Sequence, residues 1–344
     1  MSVAACPVPE VSAVLLTYNC ERFAREALRS LLQQDWAEPL EVIVSDDAST
    51  DGTFEVVRSE LSAYRGSYSV SLRQRRSNSG SKSGHLNDVF AEVTGNIIVS
   101  FDGDDVSERH RIRRILEVFR SAPDVQAVYS SYAVIDSLGR PWVRGRVPHP
   151  PTGTRASEWF ARADAYAAGT TLAVRRNVFD QFGPLDPAIH EDIVLPFRAS
   201  LLGNTVYIDE SLVRARRHAG SLTADMERFS SMDAYRERLF VGIERARRSA
   251  KCRLEDLDRA RALMPERAPE FRRLEAIVAD SVAKAELSAQ LVDRSLARRI
   301  GALMRLAWSG AYREEFLQHL ALALAPRPYL RYKRRAFREA AEDG

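Results

Sequence analysis

Val11–Gln34 reads VSAVLLTYNCERFAREALRSLLQQ. It opens on a short apolar run, Val11–Leu16, passes through a polar turn, and from about Phe23 repeats its apolar residues at helical spacing. A brief apolar run closed by polar residues predicts a buried strand, and the 3.6-residue period after it predicts an amphipathic helix. The pattern recurs downstream. Strands are expected over Leu40–Ser45, Tyr68–Arg73 and Asn96–Phe101, with a further one at QAVYSSYAVI. Helices are expected near Phe54–Arg65, His85–Val93 and Glu108–Arg120. Alternation of this kind implies an α/β fold with a mostly parallel central sheet flanked by helices.

Ligands of open α/β sheets bind beyond the carboxyl ends of the strands. Three polar clusters fall there: TYNCE after the first strand, DDASTDGT after the second and DGDD after the fourth. DGDD crowds Asp102, Asp104 and Asp105 into four residues. A divalent cation, Mn²⁺ or Mg²⁺, would stabilise such crowding and bridge to substrate phosphates. The competing explanation is helix capping by Asp104 or Asp105 ahead of the helix near Glu108, which accounts for one or two of the aspartates but not all three. Asp46, Asp47, Ser49, Thr50 and Asp51 could merely turn the chain and cap the next helix. A strand-end carboxylate can also accept from a base or ribose. No G-x-G-x-x-G follows the first strand and no G-x-x-x-x-G-K-[ST] occurs, which removes the main support for dinucleotide and P-loop readings.

The remainder of the 344 residues is less regular. PHPPTGT, at 148–154, predicts a loop. Trp142 and Trp159 flank it, as candidates for stacking on an acceptor sugar or for core packing. Beyond about Ala224 the chain turns helical and charged. The net charge is only +3, but RSLARRIGALMRLAWSG and APRPYLRYKRRAFREA concentrate basic residues among Leu, Trp and Tyr near the C-terminus. Such segments are either solvated helix faces or basic amphipathic helices on an anionic membrane surface. No nucleic-acid motif accompanies them, so no nucleic acid partner is expected. No run of apolar residues is long enough to span a bilayer, and no signal-like N-terminus is present. Cys6, Cys20 and Cys252 lack metal-ligand spacing. The expected location is cytoplasmic, peripheral at the inner face of the cell membrane if the basic helices bind lipid.

VSAVLLTYNCERFAREALRSLLQQ, EVIVSDDASTDGT, NSGSKSGHLNDVFAEVTGNIIVSFDGDD and HEDIVLPFRASLLG, in that order, resemble the family 2 inverting glycosyltransferases over about residues 10–224. The resemblance implies a GT-A fold at 1–224, with a nucleotide-binding half at about 10–136 and an acceptor half at about 137–224. A helical C-terminal region, 225–344, would follow. It also implies transfer from a nucleotide-diphosphate sugar, with a UDP-sugar as the expected donor. The acceptor would be a saccharide or lipid-linked saccharide, as in surface polysaccharide synthesis.

Carried over by position, Thr17, Tyr18, Asn19 and Glu21 line the nucleotide. Asp46 contacts the base, with Asp47 and Ser49 beside it. Asn78 and Gly80 lie near the base and ribose. Asp102 and Gly103 open the D-x-D element, in which Asp102 reaches ribose or metal and Asp104 holds the metal. His85 and Asn87 stand where the family pattern departs. Asp192 is the implied base, supported by Glu191. His218 is implied to reach the metal or diphosphate, with Arg216 or Arg217 adding charge. Taken alone, Glu191 and Asp192 could simply occupy a helix's first turn, where carboxylates suit the macrodipole. A sugar nucleotidyltransferase would carry a Gly-rich basic loop where TYNCERF stands. A non-catalytic nucleotide-sugar-binding scaffold would be expected to lack the D-x-D or E-D residues, and both are present.

Overall fold

Strand β1 (Val11–Thr17) is buried along its whole length, as a run without polar alternation must be at the centre of a sheet. It pairs in parallel with β2 (Leu40–Asp46) on one side and β4 (Ile97–Asp102) on the other. β3 (Ser69–Gln74) lies outside β2 at the edge, and its burial alternates accordingly. The register sets Thr17 beside Asp46, Leu16 beside Asp102 and Asp46 beside Gln74. The carboxyl ends of these four strands are therefore level, and the polar clusters that follow them share one crevice.

The structure, a computed structural model, describes residues 9–145, 149, 155–162, 165–218, 232–290 and 295–309. Beyond β4 come β5 (Val106–Ser107), β6 (Val125–Ile135), β7 (Pro141–Gly145), β8 (Ala173–Arg175) and β9 (Asn204–Arg216). Across the sheet the order is β3-β2-β1-β4-β8-β6-β9-β5, with β7 on β6. β8 is antiparallel to both β4 and β6, and β6 and β9 run parallel to one another. β5 and β7 are antiparallel to β9 and β6. The sheet is thus mostly parallel, as the alternation implied.

Helices α1 (Glu21–Leu32) and α4 (Arg111–Ser121) cover one face, where Leu28, Leu31, Ile115 and Phe119 meet Leu15, Val42 and Val44. α2 (Thr53–Ala63) packs beside α1 through Val57 in the same cluster. The opposite face carries α3 (Lys82–Phe90), α6 (Arg176–Phe182) and α7 (Glu191–Leu202), with Leu86, Phe182 and Phe197 sharing a cluster with Val14 and Ile98. Leu257 of α8 (Met232–Leu263) and Phe271 and Leu274 of α9 (Ala268–Gln290) extend that cluster. A buried ion pair, Arg198 to Asp256 at 2.9 Å, joins α7 to α8. A lone partner left there would be a buried uncompensated charge, so removing either residue should be strongly destabilising. Short α5 (Ala156–Phe160) and α10 (Leu296–Ser309) complete the order.

Among the described residues no helix is long and apolar enough to cross a membrane. The loop PHPPTGT, apart from His149, and the basic stretch APRPYLRYKRRAFREA lie outside the described residues.

Candidate active site

The β1–α1 and β2–α2 turns are locked to each other. Thr17 donates to Asp46 Oδ1 at 3.0 Å, and the Asp47 amide donates to Thr17 O at 2.9 Å. Asn19, in the left-handed region at φ 46°, accepts from the Thr50 amide at 2.8 Å, while its own amide donates to Ser49 Oγ at 2.9 Å. Glu21 accepts from the Gly52 amide at 3.0 Å. Tyr18 stands exposed at the lip. Asp46 is fully buried, and besides Thr17 it accepts from the Ser49 amide, Ser49 Oγ and Gln74 Nε2 at 2.6–3.0 Å. Asp47 gathers the next loop: it accepts from the Ser79 amide, Ser79 Oγ and Asn78 Nδ2 at 2.6–3.1 Å and pairs with Arg75 at 3.0 Å. In this arrangement both carboxylates are spent on shaping the rim. Gly80 holds a φ of 78°, and its amide donates to Asn78 Oδ1 at 2.7 Å. That left-handed conformation is the reason glycine suits the position.

His85 and Asn87 belong to the packing beneath. His85 Nε2 lies 2.7 Å from Ser45 Oγ, and burial pushes its imidazole down to about 4, opposed by Asp47. Asn87 bonds both the carbonyl and the amide of Leu185, at 2.9 and 2.7 Å.

The acidic turn closes against β9. A Cβ on Gly103 would stand 2.9 Å from Cys20 Sγ, Leu16 O and Thr17 Cγ2, so only glycine admits this approach. Asp104 Oδ2 lies 3.1 Å from His218 Nε2, and His218 packs on the Phe23 ring at 4.6 Å between centroids. The Arg216 amide donates to Asp105 Oδ1 at 2.7 Å. The Arg216 guanidinium donates to Asp104 O at 2.9 Å and to Glu26 at 2.6 Å, and it lies 4.8 Å over Phe23. Asp105 is therefore not a helix cap. β5 intervenes, α4 begins only at Arg111, and its N-cap residue is His110. Burial, reinforced by Asp104 and Asp102, holds the Asp105 carboxyl well above the usual range.

Two cations under this turn escaped the sequence reading. Arg111 is buried, donates to Ser100 O and Thr170 O at 2.7 Å and to Ser107 Oγ at 2.9 Å, and lies 4.4 Å over Phe101. Burial pushes it down to about 10, against the pull of Asp102 and Asp105. Lys82 Nζ lies 2.6 and 2.9 Å from the two Asp102 oxygens and 2.9 Å from Glu191 Oε1. Burial opposes its charge, but those carboxylates outweigh it and raise its pKa.

Glu191 and Asp192 open α7. Glu191 is buried against Gly169, where a Cβ would sit 2.2 Å from Oε1. Asp192 is only partly exposed, and its carbonyl accepts from the Ala167 amide at 2.9 Å. Burial and then the Glu191 charge push its carboxyl up to about 8, with Lys82 pulling the other way. A carboxyl whose pKa lies near neutrality has the profile of a proton-transfer group. Trp159 packs on the hydrophobic cluster with Arg162 5.0 Å over its ring. Trp142 lies in β7, and its side chain is outside the described residues. Among the described residues, two groupings could offer ligands to a cation: Asp104 with His218, and His190, Glu191 and Asp192, whose ligand atoms come within 4.8 Å of one another. In the second, Glu191 is already paired with Lys82.

A sequence model of the family described as Glycosyl transferase family 2 matches residues 12–183, half of the chain. The chain belongs to that family. The span takes in the strand-end clusters and the acidic turn, and stops short of Asp192 and His218. An uncharacterized glycosyltransferase of Nostoc sp. is 28% identical to this glycosyltransferase over 231 residues, 63% of this chain and 70% of that one. The Bacillus subtilis protein EpsE is 33% identical over 168 residues, 46% of this chain and 58% of that one. The match thus spans little more than half of EpsE. The crystal structure of Staphylococcus aureus TarS 1–349 in complex with UDP-GlcNAc aligns with a TM-score of 0.53 at 17% identity, covering 85% of this chain and 89% of that one. A Pyrobaculum calidifontis mannosyltransferase in complex with GDP-Man and Mn²⁺ aligns at 0.50 and 21% identity, covering 97% and 86%. At these identities the likeness is one of fold, and that fold is GT-A.

Proposed function

We propose that this glycosyltransferase inverts configuration in a single displacement, with Asp192 as the base. The carrying observation is that Lys82 pairs with Asp102 of the acidic turn and with Glu191 of the α7 start, so that the His218–Asp104 pair and the raised carboxyl of Asp192 stand one residue or two along the chain from the two ends of that bridge. The donor is a nucleotide-diphosphate sugar, taken as a UDP-sugar. Tyr18 and Asn78 meet the base and ribose, on a rim that Thr17, Asn19, Glu21, Asp46, Asp47, Ser49 and Gly80 hold rigid. Asp102 and Gly103 form the floor at the ribose.

Asp104 and His218 would hold Mn²⁺ or Mg²⁺. Carboxylate oxygen and imidazole nitrogen already converge there; the carboxylate suits either ion, and the imidazole favours Mn²⁺ over Mg²⁺. The ion would supply charge stabilisation to the departing diphosphate. Arg216 keeps the turn in place for it. Asp192 takes the proton of the acceptor hydroxyl as that oxygen attacks C1 from the face opposite the diphosphate. Glu191, fixed by Lys82, keeps Asp192 oriented. The acceptor is a saccharide or lipid-linked saccharide. The basic C-terminal segments bring the catalytic region, 1–224, to an anionic membrane surface at the cytoplasmic side. The two structural neighbours support the nucleotide-sugar reading, since their complexes contain UDP-GlcNAc and GDP-Man with Mn²⁺.

The test is hydrolysis of a nucleotide-sugar panel (UDP-GlcNAc, UDP-glucose, GDP-mannose) with Mn²⁺, followed by proton NMR of the released sugar. The expected first product has the anomeric configuration opposite to the donor. Retention would overturn the mechanism, and Asp192→Asn turnover equal to wild type would overturn the base.

A further inference from the structure

We infer that Lys82 is a built-in counter-cation that takes Asp102 out of the metal's ligand set and yokes it to Glu191, leaving the ion to Asp104 and His218. The inference rests on the metal-dependent reading above and assigns its ligands.

An ammonium has three N–H donors and no acceptor. Lys82 Nζ has three carboxylate oxygens within 2.6–2.9 Å: both oxygens of Asp102 and one of Glu191. A divalent ion bound to either Asp102 oxygen would sit within a few ångströms of that positive charge. Like charges at such spacing repel strongly where water is scarce.

Lys82 has little freedom to step aside. It is the first residue of α3, whose start is set by Ser81 Oγ accepting from the Gly84 amide at 3.0 Å. Ser83 Oγ donates to Ile189 O, binding the same turn to the approach of α7. On the other side, Glu191 is buried and pressed against the Gly169 backbone. Withdrawing the lysine would leave that carboxylate buried with its counter-ion gone, an expensive state.

Asp104 is treated differently. The neighbouring Arg216 guanidinium bonds its backbone carbonyl, and the carboxylate faces the His218 imidazole. The geometry therefore divides the two aspartates of the D-x-D between two cations, one supplied by the chain and one taken from solution. Lys82 thereby sets the spacing between the ribose end of the site and the helix that carries the base. It is a positioning residue.

The experiment is calorimetric titration of the full chain with MnCl₂ in the absence of nucleotide. Lys82→Met should tighten Mn²⁺ binding about tenfold, since a neighbouring like charge is removed and Asp102 is released. Lys82→Arg should restore wild-type affinity. Asp102→Asn should weaken binding no more than about tenfold, because it unmasks the Lys82 charge without removing a ligand, while Asp104→Asn should lose about 100-fold or more. A merely structural lysine would leave Mn²⁺ binding unchanged or weaker in Lys82→Met, and either result overturns the inference. So does an Asp102→Asn loss as large as that of Asp104→Asn, an arm that stands even if Lys82→Met fails to fold. If the wild type binds no Mn²⁺, Lys82→Met must acquire a site or the inference fails, and the metal-dependent reading falls separately.

Discussion

The acidic turn after β4 and the acidic start of α7 hold the same kinds of side chain in opposite circumstances. Around the turn, Asp102 is matched by Lys82, Asp104 by His218 and Asp105 by the Arg216 amide. At α7, Glu191 takes the second arm of Lys82, and Asp192 is pushed up by burial and by Glu191 itself. Burial raises Asp102 and Asp105 as well as Asp192, so the difference lies in the partners. The turn's carboxylates are held by Lys82, His218 and Arg216 and suit ion binding, whereas Asp192, raised by burial and by Glu191, suits proton transfer. On the proposed mechanism, environment rather than residue type separates the two roles.

The sharpest way to break this comparison is Asp192→Asn. Turnover should fall by about 10³-fold or more while nucleotide affinity is kept, read as kcat beside a calorimetric titration with UDP. The same substitution should stabilise the fold above neutral pH. A carboxyl raised from its usual value to about 8 binds its proton more tightly when folded. Stability is therefore lost as pH rises from the unfolded value toward about 8, and the asparagine escapes that loss. A Tm higher by several degrees at pH 8.5 is expected. Wild-type hydrolysis should rise with pH toward a plateau, because only ionised Asp192 accepts a proton.

Asp104→Asn tests the other region. Mn²⁺ activation should weaken about 10–100-fold, read from the Mn²⁺ concentration at half-maximal hydrolysis. Gly169→Ala probes the link between the two. Its Cβ would collide with Glu191 Oε1, so kcat should fall about tenfold with donor KM little changed, as remote misplacement does. The smallest kinetic effect belongs to Asn87→Ala. Losing the Leu185 bonds should cost about 1–3 kcal/mol in urea unfolding, with kcat unaltered.

The first four strands and their helices were legible because each is a local pattern of apolar spacing, and the observed bounds differ from the expected ones by three residues or fewer. The strand-end clusters were legible for the same reason, since strand ends place them. Two things were not. Asp105 reads as a cap from its neighbours alone, but its partner is the amide of Arg216, more than a hundred residues on. The helix expected from the sequence begins near His85, which leaves Lys82 in the preceding loop; the structure starts α3 at Lys82, where Asp102 and Glu191 come to it from two other elements. With the helix start at Lys82 known, one signal follows: a lysine in the first turn of a helix sits against the positive end of the macrodipole. Such a placement asks for acidic partners elsewhere. For Trp142 and Trp159, nearness to a proline-rich loop is a weak cue to sugar stacking, and Trp159 packs against the core.

The comparison between the two acidic regions rests on the state of Asp192. Carbon-13 labelling of aspartate carboxyls, with the Asp192 resonance identified by its absence in Asp192→Asn, allows its titration to be followed directly by NMR. The account predicts an apparent midpoint near 8. A midpoint near 4, the range of an ordinary aspartate, would contradict it.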